Sequence, residues 1–150
     1  MPKNWALQPP HKPNLKKHQL LVSSMNVRSA RANDLEIIQY IHETEPHCLC
    51  LQETWGYNTI TQGYSFISNH RPTKGGGVSI VFKNSLKLKL GAKIMSKDLE
   101  AILCTNNSLI ILNLYRPPKG SVPSMCDMIK EILRPFDSDK RKKLVIGDFM

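Results

Sequence analysis

Short apolar runs, each of strand length and each closed by a polar side chain, recur along this sequence and limit what it can fold into. Residues 20–25 lead to Asn26, residues 48–51 to Gln52 and Glu53, residues 109–114 to Tyr115 and Arg116, and residues 144–146 to Gly147 and Asp148. Apolar residues at helical spacing fall between these runs. Leu35, Ile38 and Ile41 follow Asn33-Asp34-Leu35-Glu36, an N-cap candidate with an acid three residues on that resembles a capping box, and Pro46 closes the helix. Val122, Met125, Met128 or Ile129, and Ile132 form a second helical stripe ahead of Arg134. Strand, helix and strand in this order predict an α/β domain with a mixed, mostly antiparallel sheet and two helices. In such sheets ligands gather beyond the carboxyl ends of strands, so the polar residues closing the runs are the first candidates for a site.

The remaining segments fill in the frame. An irregular stretch from Thr54 to Gly76 contains one strand candidate, residues 64–67, expected over the rim of the site. Gly75-Gly76-Gly77 leads into a strand at residues 78–82, with glycines that permit a close backbone approach. The triplet lacks both the Walker lysine spacing and the Gly-x-Gly-x-x-Gly pattern before a helix, so a nucleotide-cradling loop has little support. Residues 99–104 and 109–115 flank Asn106-Asn107 and predict a hairpin turned by asparagine at positive φ.

Charge narrows the partners. The net charge is +9, which favours phosphate-bearing polymers through counterion release and points to DNA or RNA. The densest basic run, Lys140-Arg141-Lys142-Lys143, reads as a solvated loop before a strand or as a nuclear-localisation patch. Residues 1–18 carry four prolines and no periodicity, so they are expected to be a flexible basic leader to a domain at 19–150. No stretch nears the roughly 18 apolar residues of a membrane span, and no secretory signal opens the chain. The expectation is an intracellular, nuclear protein with no membrane contact and no obligate protein partner. The cysteines, Cys48, Cys50, Cys104 and Cys126, form no Cys-x-x-Cys pair and read as buried thiols rather than a zinc set.

The residue types at the strand ends are chemically coherent. Glu53 is a hard oxygen ligand suited to Mg²⁺, with Mn²⁺ as the alternative. Tyr115 can donate to a phosphate oxygen, Asn26 can orient a carboxylate, and Asp148 can accept a proton from an attacking water. Each also has an ordinary structural use: Glu53 and Asp148 as caps, Asn26 in a turn, Tyr115 as a core aromatic.

Together, Met25-Asn26-Val27-Arg28, Leu51-Gln52-Glu53-Thr54-Trp55, Gly75-Gly76-Gly77-Val78, Asn113-Leu114-Tyr115-Arg116-Pro117-Pro118 and Ile146-Gly147-Asp148-Phe149 resemble the endonuclease/exonuclease/phosphatase superfamily. The Gln-Glu-Thr-Trp and Tyr-Arg-Pro-Pro wording is similar to the apurinic-endonuclease-like domain of non-LTR retrotransposons. The resemblance runs from about Leu20 to Met150. It implies the amino-terminal half of a four-layer, DNase I-like α/β sandwich and Mg²⁺-dependent cleavage of a DNA phosphodiester that leaves a 3′ hydroxyl to prime reverse transcription. On this carry-over Glu53 binds the metal, Asn26 supports the site, Tyr115 contacts phosphate, and Asp148 orients or deprotonates water. Arg116 and Lys119 would contact the nucleic acid; Glu100 and Arg116 would support the site and are given no catalytic role.

The sequence departs from the family at Met150, where the pattern has asparagine, and lacks the late Ser-Asp-His element, which neither His42 nor His47 matches. The resulting expectations are a truncated, weakly active or inactive copy, and one apolar sheet face left without a partner. Two other readings stay open: a repair endonuclease or other phosphoesterase of the superfamily, and a non-catalytic basic nucleic-acid-binding fragment.

Overall fold

The computed structural model describes residues 12–16 and 19–149. Most of the expected leader and Met150 lie outside the described residues. Within them the strands are β1 (Val22–Asn26), β2 (Cys48–Gln52), β3 (Tyr64–Asn69), β4 (Val78–Lys83), β5 (Lys89–Met95), β6 (Glu100–Thr105), β7 (Leu109–Tyr115) and β8 (Lys142–Asp148). Two α-helices accompany them, α1 (Asp34–Thr44) and α2 (Val122–Leu133), with short 3-10 turns at Asn84–Leu86 and Arg134–Phe136.

The strands form two four-stranded sheets, ordered β1-β2-β4-β3 and β5-β6-β7-β8. Each is antiparallel except at one edge, where β1 joins β2 and β8 joins β7 in parallel. A parallel pair needs a crossover, and α1 and α2 supply it in the two sheets. Three apolar clusters define the layers. Ile37 and Ile41 of α1 pack on Leu49, Leu51 and Val81. Cys48, Cys50, Ile80 and Phe82 of the first sheet meet Ile102, Cys104, Ile111 and Tyr115 of the second. Met125 and Ile132 of α2 cover Leu103, Ile110 and Leu112 on the far side. The order helix, sheet, sheet, helix is the four-layer sandwich. The expected bare sheet face is absent, because the chain contributes four strands to each sheet, and each sheet finds its partner within the described residues.

One polar bridge crosses this apolar middle. Asn113, fully buried in β7, donates to the main-chain oxygens of Leu51 (3.0 Å) and Ser79 (2.9 Å) in the facing sheet and accepts from Gln52 Nε2 (2.8 Å). All three bonds depend on the register of the two sheets, so the bridge fixes how their ends line up.

Several local expectations need correction. Ile41 is buried as expected, but Leu35 is 81% exposed and Ile38 only partly buried, and the stripe of α1 includes Ile37 in their place. Asn33 precedes α1 but makes no side-chain cap. Its amide donates back to the oxygens of Val27 (2.6 Å) and Ser29 (3.0 Å), tying the β1–α1 loop to the helix start. The β6–β7 hairpin forms, but not through positive φ at asparagine: Asn106 Oδ1 accepts from the backbone amides of Ser108 and Leu109, both at 2.9 Å. Residues 64–67 belong to an edge strand of the first sheet rather than to the rim. Lys142 and Lys143 sit in β8 rather than in a loop, and Arg141 is held by Asp139. Three cysteines are buried, as expected, while Cys126 is exposed.

Candidate active site

Register carries the strand-end residues to one end of the sandwich. In the first sheet Asn26 pairs with Gln52, Gln52 with Val78 and Val78 with Asn69. In the second, Met95 pairs with Glu100, Glu100 with Tyr115 and Tyr115 with Asp148. Residues paired in this way share a face, so Glu100, Tyr115 and Asp148 form one row across three strands. The two rows lie over one another, with β1 against β8.

Asn26 joins them. Its Nδ2 donates to Glu53 Oε2 at 2.6 Å and to Asp148 Oδ2 at 2.9 Å, while its Oδ1 accepts from the Arg28 amide at 3.2 Å. A primary amide has two N–H donors, and here each serves one carboxylate. The reverse orientation would set a carbonyl oxygen against two anions, so the amide has one workable placement. Asn26, Glu53, Tyr115 and Asp148, picked out from the sequence, thus converge.

The backbone under this cluster is strained. Arg28 (φ 41°), Ser29 (φ 83°), Glu53 (φ 55°) and Trp55 (φ 54°) are all left-handed without being glycine. Each such residue costs on the order of 1–3 kcal/mol and persists only when its surroundings impose it. The imposing contacts run between the two loops: Ser29 N–H donates to Glu53 O (2.8 Å), Ala30 N–H to Thr54 O (3.1 Å), and Trp55 N–H to Gly76 O (2.8 Å). The loops after β1 and β2 therefore hold each other, and Glu53 is aimed by main-chain bonds that do not involve its own carboxylate.

Tyr115 is 5% exposed. Burial pushes its phenol up to about 12, with Glu53, Glu100 and Asp148 acting in the same direction and Arg71 opposing. The hydroxyl therefore stays protonated, and able to donate, throughout the neutral range. Because the folded value lies above the ordinary 10, this group's contribution to stability is present below pH 10 and is lost as the pH climbs toward 12. In a phenolate absorbance titration, Tyr115→Phe should remove one of the two phenols with midpoints near 12, the other being Tyr64.

Arg116 and Lys119 stand differently. Arg116 Nε donates to Phe149 O (2.8 Å) and Nη1 to Gly120 O (3.1 Å), so the guanidinium fastens the chain after β8 to the turn after β7. Lys119 lies exposed on that turn. Neither joins the Asn26 cluster through a hydrogen bond among the described residues. Sequence reasoning gave Glu100 a supporting place without a catalytic role and missed Arg71. Glu100 is 1% exposed, accepts from Gly77 N–H (2.6 Å) through Oε1, and pairs through Oε2 with Arg71 Nε (2.5 Å). The signal was the glycine triplet: a Cβ at Gly76 would come within 2.5 Å of Glu100 Oε1 and 2.6 Å of Arg71 Cζ.

The sequence pattern of the endonuclease/exonuclease/phosphatase family matches residues 23–149, which takes in every strand of both sheets except the first residue of β1. The chain belongs to this family. No curated protein matches it in sequence. Among solved structures, members of the family's fold align along nearly the whole chain. An AP endonuclease from Archaeoglobus fulgidus is 18% identical, with a TM-score of 0.67 over 87% of this chain and 57% of its own. The 3′ phosphatase NExo from Neisseria, bound to a product DNA hairpin, is 17% identical, with a TM-score of 0.59 over 86% and 57%. The endonuclease domain of TRAS1, a telomere-specific non-LTR retrotransposon, is 13% identical, with a TM-score of 0.60 over 87% and 58%. At these identities the likeness establishes the fold. The chain spans somewhat more than half the length of each.

The donor set suits a hard divalent cation. Among the described residues no three His, Cys, Asp or Glu side chains gather as a metal cage. Two carboxylates share one amide instead, and Mg²⁺ is commonly held by one or two carboxylates, waters and substrate phosphate.

Proposed function

We propose that the chain carries the metal-dependent phosphodiester-cleaving site of a DNA-nicking endonuclease of the retrotransposon type. The observation that carries this reading is the Asn26 amide, which holds Glu53 and Asp148 together across the two sheets beside the Tyr115 phenol. Glu53 would hold Mg²⁺, or Mn²⁺ in its place. Bound there, the cation would neutralise charge on the phosphate and the departing oxygen. Asn26 fixes the spacing of the carboxylates. Asp148 accepts the proton of the attacking water, and Tyr115 donates to a non-bridging phosphate oxygen. The net charge of +9 favours a polyanionic substrate, and the Gln-Glu-Thr-Trp and Tyr-Arg-Pro-Pro wording favours the retrotransposon branch over repair enzymes. No helix among the described residues is long and apolar enough to cross a membrane.

The test is nicking of supercoiled plasmid by the purified chain in Mg²⁺, with an EDTA control, beside a measurement of Mn²⁺ binding by electron paramagnetic resonance. Nicking abolished by EDTA, with about one Mn²⁺ bound at the site, supports the reading. A folded chain that neither nicks DNA nor binds Mn²⁺ overturns it and leaves a basic nucleic-acid-binding protein, whose affinity would fall steeply with salt.

A further inference from the structure

The ion pair between Arg71 and Glu100 lies outside the chemistry assigned above, yet the fold goes to some length to build it. Glu100 is a buried carboxylate with both oxygens committed, one to Gly77 N–H and one to Arg71 Nε. Gly76 and Gly77 are left-handed at φ 56° and 91°, and a side chain at Gly76 would displace the pair. Arg71 is held by its inner nitrogen and its side chain is 29% exposed. A guanidinium has five N–H donors, and among the described residues only Nε is engaged. The four donors on the two outer nitrogens remain, in the fork geometry that matches two oxygens of one phosphate.

Arg71 borders an open cavity of about 440 Å³, lined also by Thr73, Ser96, Lys97, Glu100 and Pro117. Lys97 adds a second cation, with the Asp98 carboxylate interacting with it electrostatically. The cavity has a fixed position relative to the reaction centre, because Glu100, Tyr115 and Asp148 are successive members of one row. Two strand spacings put Glu100 roughly 10 Å from Asp148. Successive phosphates of one strand are about 6–7 Å apart, because they are displaced around the helix as well as by the axial rise of about 3.4 Å, so that distance covers one to two nucleotides of one DNA strand.

We infer that Arg71, oriented by Glu100, is a docking residue for a backbone phosphate of the substrate strand about one to two nucleotides from the cleaved bond. The inference rests on the DNA reading and deepens it. Arg71 contacts substrate without touching the reacting atoms, and Glu100 is a positioning residue that acts through it. A phosphate seated there sets the strand's register over Asp148 and Tyr115, so the subsite governs which bond is presented.

The test uses fluorescence anisotropy of the full chain on a short duplex across a salt series, with Arg71→Gln and Arg71→Lys. Each phosphate contact contributes about 0.9 to the slope of log K against log salt. Arg71→Gln should lower the slope by about that amount and weaken binding roughly tenfold at low salt, whereas Arg71→Lys should keep the slope. A scan of single neutral methylphosphonates on the wild-type chain then locates the contact. One substitution about one to two nucleotides from the nick should weaken wild type and leave Arg71→Gln unchanged. A folded Arg71→Gln with the wild-type slope overturns the inference and leaves the pair as a structural brace for the glycine loop. If that variant does not fold, a flat methylphosphonate scan on wild type overturns it equally. Failure of the wild-type chain to bind DNA at all would remove the DNA reading itself, which separates the two outcomes.

Discussion

Glu53→Ala is expected to lower metal-dependent nicking by at least about a thousandfold, equivalent to roughly 4 kcal/mol of barrier. The side chain is the hard-oxygen ligand of the proposed site and one of two carboxylates on the Asn26 amide. Its removal takes away the metal's anchor and half of the constraint on Asn26. The main-chain bonds around residue 53, from Ser29 to Glu53 O and from Trp55 to Gly76 O, do not depend on the carboxylate. The turn should therefore survive, with only the left-handed backbone at 53 disfavouring alanine. Glu53→Gln gives the cleaner comparison, since it keeps the size and removes the charge. Plasmid nicking, Mn²⁺ binding and a urea melt, measured on all three proteins, check the claim. Full activity in a folded Glu53→Gln would place the metal elsewhere.

Gly147→Ala should destabilise the fold by roughly 4 kcal/mol, a large part of the 5–15 kcal/mol typical of a domain. Gly147 has φ 148° and lies directly against Leu114 of β7, its register partner. An added Cβ would come within 2.7 Å of Leu114 N and 2.8 Å of Leu114 C, and would collide with the Leu114 carbonyl oxygen. These are backbone atoms, so no rotamer change relieves the clash. β8 must lift from β7, carrying Asp148 away from Asn26. Urea unfolding measures the first effect and loss of nicking the second. A melt within about 1 kcal/mol of wild type would mean that β8 can be rebuilt at little cost.

The sequence made the centre legible because each of its members ends an apolar run. Asn26, Glu53, Tyr115 and Asp148 need only the rule that ligands gather at strand ends, and the register then brings them together. Arg71 was missed because it ends nothing: it stands two residues past an edge strand, and its partner Glu100 opens a strand instead of closing one. β5 escaped notice for a related reason. Lys89 and Lys93 interrupt its apolar content with charge, and Gly91 lies at the register shift between Leu90 and Ala92, which breaks the alternation that marks a strand. The first helix was found with its buried face only partly right: Ile41 is in the core, but Leu35 at the first turn projects into solvent and Ile37 takes its place. The second sheet could not be told from the first by pattern alone. Both have central strands buried on both faces and a parallel edge, and only pairing distinguishes them.

The bond from Asn26 to Asp148 closes a loop of 122 residues in sequence. Contacts of that separation are entropically the most expensive to form and in general appear late on a folding route. Each strand–helix–strand unit can assemble from its own neighbours, but the centre exists only once the two units have docked. Among the described residues β8 is an edge strand, paired in the sheet with β7, so fraying there is among the least costly openings of this stretch. Hydrogen exchange should find the β8 amides opening ahead of those in β2, β4, β6 and β7. In each such opening the centre comes apart while both sheets remain folded, so how long it stays assembled depends on a local fluctuation and not on the global stability of the chain.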